Sequence, residues 1–236
     1  MNKKVSKKQE FDHFNSIAQE WWLPNGKFRI LHQITNLRIK YIINKFANKD
    51  IRNLDILDLG CGGGLTCEPL SRLKANVTGI DFVKKNIDVA KEHAKKSKLE
   101  IDYIYSDLEK FKIDKKYDLI LALEILEHLD DWENAINNIK KNLKPNGKII
   151  FSTINRTNLS RLFAIFIAEN ILKWIPKNTH SYDKFITPKE LKDALTNNNF
   201  KIENLTGMNF NPFTNEWKLS PNNYSINYFC TAKIKN

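Results

Sequence analysis

The chain has 236 residues, 42% of them hydrophobic and 28% charged. This is the length of one large domain and an ordinary globular composition, which excludes a repeat array and a wholly disordered chain. The net charge of +11 divides into +6 over residues 1–50, −4 over 51–139 and +9 over 140–236, a distribution that fits either a nearby anionic surface, nucleic acid or lipid, or simple solubility.

Residues 1–10 are Lys-rich, but Phe11-Asp12-His13-Phe14 follows them instead of the apolar run of a signal peptide. Phe11, Phe14, Ile17, Ala18, Trp21 and Trp22 form the stripe of an amphipathic helix, ended by Pro24-Asn25-Gly26. A second helix is expected over about 34–46. From Leu54 the period changes. A buried strand at 55–59 leads into glycines and a helix to about Arg72, then a strand at 76–80 and a helix over 84–96. Strands follow at 101–105 and 118–123, then a helix at 132–143 closed by Pro145-Asn146-Gly147, and a fifth strand at 148–152. Strands and helices alternating in this way predict a doubly wound parallel sheet.

Beyond it the sequence predicts a strongly apolar helix at 159–175, a loop at 176–180, and a helix at 188–198 behind Thr187 as N-cap. Closing strands are expected at 201–205 and 225–232, with a long connection, 207–223, near a ligand. The expected organisation is one domain, 1–236. Residues 1–50 form an N-terminal helical cap, 51–155 a ligand-binding core, and 156–236 an insertion with the closing strands.

Cys61, Cys67 and Cys230 show no CxxC pair and no Cys/His ligand spacing, so neither a disulfide framework nor a zinc site is expected. The longest uncharged apolar run falls far short of the ~20 residues of a membrane span. A cytoplasmic protein is expected.

Four of the eight glycines lie between positions 60 and 64, in LDLGCGGG at 57–64. Glycines closing a first strand let the backbone approach a ligand, with the next helix N-terminus facing it. Asp81 ends the second strand, 21 residues after Gly60, where a carboxylate accepts both hydroxyls of a ribose. Gly60-x-Gly62-x-Gly64 is spaced more closely than the GxGxxG of a pyrophosphate cradle. Asp58 suits a cationic sulfonium or amino group and would repel a phosphate. Asp107, after the third strand, is placed to accept from an adenine amino group. Together these motifs resemble those of class I S-adenosylmethionine-dependent methyltransferases. That resemblance implies a Rossmann-like, mostly parallel seven-stranded sheet, here with N-terminal helices and an inserted apolar helix after strand five.

The segment Glu124-Ile-Leu-Glu127-His128 follows the fourth strand at the ligand-binding end of such a sheet. If Glu124 opens a helical turn, Glu127 and His128 fall at i+3 and i+4 and all three point one way. Two readings stay open on spacing alone: a Mg²⁺ site completed by water and substrate oxygens, or a helix start whose carboxylates cap backbone.

Over nearly its whole length the chain resembles the ubiquinone biosynthesis O-methyltransferases. The carriers are Trp21-Trp22, LHQITNLR at 31–38, LDLGCGGG at 57–64, EILEH at 124–128, FSTINR at 151–156, PKNTH at 176–180, KFITP at 184–188 and TGMNFNP at 206–212. Leu23 and Leu123 depart from the family pattern, which has an acidic residue and a Met there. The resemblance implies O-methylation of polyprenyl phenol or catechol intermediates. It also implies contacts from Arg38, Gly60, Asp81 and Leu123 to S-adenosylmethionine, with Asp58, Gly62 and Asp107 completing the expected set. Arg38 suits the methionyl carboxylate, which a guanidinium pairs in bidentate fashion. The resemblance inclines the EILEH segment towards Mg²⁺ held by Glu124, Glu127 and His128; His128 is also the candidate general base, with His32 and His180 as alternatives.

An isoprenoid-tailed acceptor partitions into bilayers, and the stretch 159–175 is apolar and flanked by Arg156, Arg161, Lys173 and Lys177. It reads either as a core helix or as a helix lying in an anionic membrane surface, with reversible association at the inner face of the membrane. Other quinone-pathway enzymes are expected partners, and nucleic acid is not. The rival reading is an RNA ribose 2′-O-methyltransferase or another small-molecule O-methyltransferase. No basic-aromatic nucleic-acid platform favours RNA.

Overall fold

YDLILAL is apolar at nearly every position and DILDL places apolar residues side by side rather than at every second position, the pattern of strands covered on both faces. The computed structural model describes residues 7–162, 182–211, 214 and 216–235. It places these segments as β1 (Asp55–Leu59) and β4 (Tyr117–Leu123) at the centre of an eight-stranded sheet. The other strands are β2 (Asn76–Asp81), β3 (Asp102–Tyr105), β5 (Leu143–Ile154), β6 (Phe200–Asn211), β7 (Glu216–Ser220) and β8 (Asn227–Ile234). The order is β3-β2-β1-β4-β5-β8-β6-β7. β1 to β5 pair in parallel, and β8, β6 and β7 are antiparallel.

Successive side chains feed two cores. Leu57, Leu59, Ile120, Ala122 and Phe151 face one side, under α5 (Trp132–Lys140) and α6 (Pro188–Asn197). Ile56, Leu119, Leu121 and Ile150 face the other, under α2 (Arg29–Ile43), α3 (Cys67–Arg72) and α4 (Lys84–Lys96). A third, small core holds Ile17, Ala18, Trp21 and Phe28 of the N-terminal cap against Leu65 and Val89.

Most expected elements are present, and α6 starts as predicted: Thr187 accepts from the Glu190 N–H while the Glu190 carboxylate accepts from the Thr187 N–H. Three differences have physical causes. The sheet has eight strands because 207–223 is not a loop beside a ligand: β6 runs on to Asn211 and pairs with β7 at the sheet edge, where a polar, Asn-rich strand is tolerated. Pro145-Asn146-Gly147 does not close α5 but lies in the start of β5, where the pairing with β4 shifts register and a missing N–H is accommodated. The first helix, α1, is Lys7–Ile17 and then tightens into a 3₁₀ turn at Ala18–Glu20, because both tryptophans that follow are drawn onto the glycine loop. The apolar stretch beyond Leu162, the 176–180 loop and His180 lie outside the described residues. Among the described residues no helix is long and apolar enough to cross a membrane.

Candidate active site

The strand order reverses between β1 and β4, and in open α/β sheets ligands bind at that point, outside the carboxyl ends of the strands. A cavity of about 280 Å³ opens there. Its lining includes Arg38, Asp58, Gly60, Gly62, Asp81, Leu123, Glu124 and His128. Six of the seven residues expected to contact the methyl donor therefore meet in one place. Asp107 is not among the lining residues; it is exposed, and its carboxylate accepts from the Glu109 N–H at 2.8 Å. That bond is local: a short polar loop satisfies its own backbone with the nearest carboxylate.

The glycine loop is pinned at both ends. The Gly60 and Cys61 N–H groups donate to the Ile80 carbonyl at 2.8 and 2.9 Å. Gly62 adopts φ +54°, a left-handed conformation, and its N–H donates to Asp81 Oδ2 at 2.9 Å. Asp81 Oδ1 accepts from the Val83 N–H (2.8 Å) and Asn86 Nδ2 (3.2 Å). Burial raises its pKa, and these three donors act against that rise.

Asp58 is buried at the end of β1, where the Cys67 thiol donates to Oδ2 at 3.3 Å. Burial pushes its carboxyl up to about 7, with Cys67 and Arg38 opposing and Asp81 adding to the rise. A cation-facing carboxyl without a cation is what a sulfonium or ammonium ligand would complete. Arg38 is 5% exposed; Nη2 reaches Glu124 Oε1 at 3.2 Å, while Nε is buried and unpartnered. The site thus offers a carboxyl for positive charge, a guanidinium N–H for a carboxylate, and a carboxylate for a ribose, which fits S-adenosylmethionine.

The EILEH segment departs from its expected geometry. Glu124 does not open a helical turn. It sits at φ +55°, ending β4 in the left-handed region, and the 3₁₀ turn begins only at Leu126. Its Oε1 accepts from Arg38 Nη2, from Ser152 Oγ at 2.8 Å and from Asn227 Nδ2 at 2.8 Å. Glu127 is buried, turned to Thr153 Oγ1 at 2.9 Å, and raised to about 7 by burial first and the Glu124 charge second. His128 faces the cavity instead, with Phe14 edge-on at 6.1 Å. Glu124, Glu127 and His128 therefore do not converge as a Mg²⁺ site. Among the described residues no three His, Cys, Asp or Glu side chains gather to hold a metal.

Sequence reasoning missed the residues that roof the site. His13, Phe14, Ile17 and Trp21 of the cap line the cavity, and so does Asn86. Trp21 stacks on Phe28 at 3.7 Å, and a Cβ at Gly62 or Gly63 would lie 2.3 or 2.4 Å from its ring. The Trp21-Trp22 pair was visible as a hydrophobic stripe and as part of the family resemblance, without a role in the site. The second signal, Asn86 five residues after Asp81, is unremarkable without the fold. His32, an alternative base, is instead structural: Nε2 lies 2.8 Å from the Trp21 carbonyl, and the ring is not among the cavity lining.

Residues 30–205 match a family model described as a methyltransferase domain. The chain is 48% identical to the ubiquinone biosynthesis O-methyltransferase of Pelagibacter ubique (strain HTCC1062), covering 97% of this chain and 98% of the relative. It is 46% identical to that of Rickettsia prowazekii (strain Madrid E), covering 97% and 92%. Among solved structures, the magnesium protoporphyrin IX methyltransferase of Synechocystis PCC 6803 with bound SAH aligns at TM-score 0.73 and 19% identity, over 97% of this chain and 100% of that one. An S-adenosylmethionine-dependent methyltransferase from Clostridium acetobutylicum ATCC 824 aligns at 0.64 and 15%, over 98% and 100%. At such identities these structures speak to fold alone, and the fold is the class I methyltransferase fold. With a cavity at the switch point and relatives matched over nearly their whole length, the chain belongs to the ubiquinone biosynthesis O-methyltransferases, S-adenosylmethionine-dependent enzymes.

Proposed function

We propose that the methyl acceptor is the phenolic hydroxyl of a polyprenyl phenol or catechol and that His128 takes its proton. The placement of His128 carries the reading: it shares a cavity with Arg38, Asp58 and Asp81, among Phe14, Phe82 and Ile125, a surface suited to an aromatic ring. S-adenosylmethionine, when bound, supplies a methyl group on a positively charged sulfur. The chain's own tasks are alignment and proton removal. Arg38 and Asp58 hold the two charged ends of the amino acid portion and Asp81 the ribose. In-line transfer needs the acceptor oxygen held about 3–3.5 Å from the methyl carbon. A phenol with an intrinsic pKa of ~10 is mostly protonated at neutral pH, so a base within hydrogen-bond reach accelerates the step. Glu124 and Glu127 are committed to protein donors, which supports direct proton removal over a metal-held catechol.

The test uses labelled S-adenosylmethionine and a catechol with a short isoprenoid tail. His128→Ala is expected to lower kcat ~10²–10⁴-fold while the affinity for S-adenosylhomocysteine stays unchanged. Undiminished turnover would rule out His128 as base. Activity lost on chelation and restored by Mg²⁺ would replace this route with a metal-assisted one.

Reversible association with an anionic membrane is part of the same reading, supported by the exposed Leu159 (50%) and Leu162 (65%) on either side of the exposed Arg161. Binding to phosphatidylglycerol vesicles is expected to weaken with added salt. Equal recovery in the soluble fraction with and without vesicles would count against it.

A further inference from the structure

A closed ring of contacts joins the N-terminal cap to the ribose-facing carboxylate. The Trp21 indole N–H donates to Asn86 Oδ1 at 2.8 Å, and Asn86 Nδ2 donates to Asp81 Oδ1 at 3.2 Å. Asp81 Oδ2 accepts from the Gly62 N–H at 2.9 Å, and the Trp21 ring lies against that same glycine. All three side chains are buried: Trp21 is 7% exposed, Asn86 2% and Asp81 4%. The amide has one workable orientation, because a flip would set its NH₂ against the indole N–H and its oxygen against the carboxylate. Trp22 fastens the same turn from outside. Its indole N–H donates to the Gly63 carbonyl at 2.9 Å, and its ring stacks on His93 at 3.5 Å.

The arrangement divides Asp81's partners into two kinds. The Gly62 and Val83 N–H groups belong to the backbone of the sheet-to-loop turns and are set by the fold. Asn86 is a side chain whose far end is held by the cap. The aim of the carboxylate therefore depends on whether the cap is docked. The same cap brings His13 and Phe14 to the cavity, and Phe14 against His128.

We propose that Asn86 is a positioning residue that relays between Trp21 and Asp81, so that docking of the N-terminal cap and binding of the methyl donor strengthen each other. Coupling of this kind is reciprocal: whatever the docked cap adds to donor affinity, the bound donor adds to cap docking. The donor thus helps to complete the acceptor side of the cavity, which orders binding, donor before acceptor. The proposal rests on Asp81 as the ribose acceptor, and the experiment separates the two.

Calorimetry with S-adenosylhomocysteine is run on the full chain and on Trp21→Phe, Asn86→Ala, the double variant and Asp81→Asn. Hydrogen exchange of residues 11–22 is followed with and without the ligand. Trp21→Phe keeps an aromatic side chain but removes the N–H and part of the indole's volume, and is expected to weaken binding at least about three- to tenfold, the worth of one buried hydrogen bond. The double variant should bind no more weakly than Asn86→Ala, since the relay is already broken. Ligand should slow exchange in the cap of the parent protein, and do so much less in the variants. A role in folding alone would lower Tm without this pattern. Effects that multiply in the double variant, Trp21→Phe binding like the parent, or a cap unprotected by ligand would each overturn the relay. Unchanged binding by Asp81→Asn would overturn the ribose reading and the relay together, whereas weak binding by Asp81→Asn with parent-like Asn86→Ala would overturn the relay alone. Should Asn86→Ala not fold, Trp21→Phe and the exchange data decide.

Discussion

Asp58 gives the sharpest quantitative test of the donor site, because its ionisation should control binding. In the free protein burial holds its carboxyl at about 7. A bound ammonium favours the charged form and pulls that value down. The sign follows: the free protein holds a proton below pH 7 that the complex does not, so affinity falls as pH falls. At pH 8 roughly nine-tenths of the carboxyl is ionised and at pH 6 roughly a tenth, so affinity for S-adenosylhomocysteine should drop about tenfold between them, or ~1.4 kcal/mol. S-adenosylhomocysteine is the right probe because it keeps the amino acid portion and lacks the sulfonium. Calorimetry in buffers of different ionisation enthalpy should register close to one proton released per binding event below pH 7. Asp58→Asn should bind more weakly at pH 8 and show neither the slope nor the proton release. A flat pH profile in the parent protein would refute the reasoning. So would a slope that survives in Asp58→Asn, because another group would then be titrating.

Two further outcomes follow from contacts around the loop and the EILEH segment. Gly63 lacks the left-handed φ of its neighbours, so Gly63→Ala tests space alone. Its Cβ would lie 2.4 Å from Trp21 Cγ and 2.5 Å from Trp21 Cβ, and the second of these is fixed by the backbone whatever the rotamer. A loss of ~1–3 kcal/mol in thermal unfolding is expected, with weakened donor binding; a parent-like Tm and affinity would mean the cap does not rest on the loop. Glu127 is raised to about 7 in the folded protein by burial and by Glu124, above its unfolded value of ~4.3. Its contribution is therefore fully present below that unfolded value and is lost as pH rises through the folded one, and Glu127→Gln should be the more stable protein at pH 8, by on the order of 2 kcal/mol. Stability curves that run parallel from pH 5 to 8 would contradict this.

The sheet was legible because strands covered on both faces put apolar residues on consecutive positions, and DILDL and YDLILAL do so in segments too short for helices. The candidate donor site was legible for a related reason. Arg38, Asp58, Gly60, Gly62, Asp81 and Leu123 are fixed by where strands end and by one helix, and strand ends are what periodicity reports best. The errors lie where one residue's backbone or partner decides. Spacing put Glu124, Glu127 and His128 on one helical face, but spacing assumes a helix; Glu124 is left-handed, the turn starts only at Leu126, and Glu127 is buried against Thr153 while Glu124 and His128 line the cavity. Polar composition made a loop of 207–223, but an edge strand tolerates the same residues.

The glycine loop shows why the remainder was hidden. The cluster at 60–64 reads as room for a ligand, and that is half of what it provides. Gly62 and Gly63 also make room for Trp21, so the loop is packed from outside by a residue about forty positions earlier in the chain. A glycine in the sequence announces that something comes close without saying what. Telling a ligand from a tryptophan required the third core, where Ile17, Ala18, Trp21 and Phe28 meet Leu65 and Val89. Three residues that periodicity assigns to two separate helices and a strand end, Trp21, Asn86 and Asp81, thereby form one hydrogen-bonded unit. In this fold the cap and the candidate donor site thus share one hydrogen-bonded unit: the N–H group that meets Asn86 comes from the cap's own tryptophan, so a change that undocks the cap removes a partner of the side chain that holds Asp81.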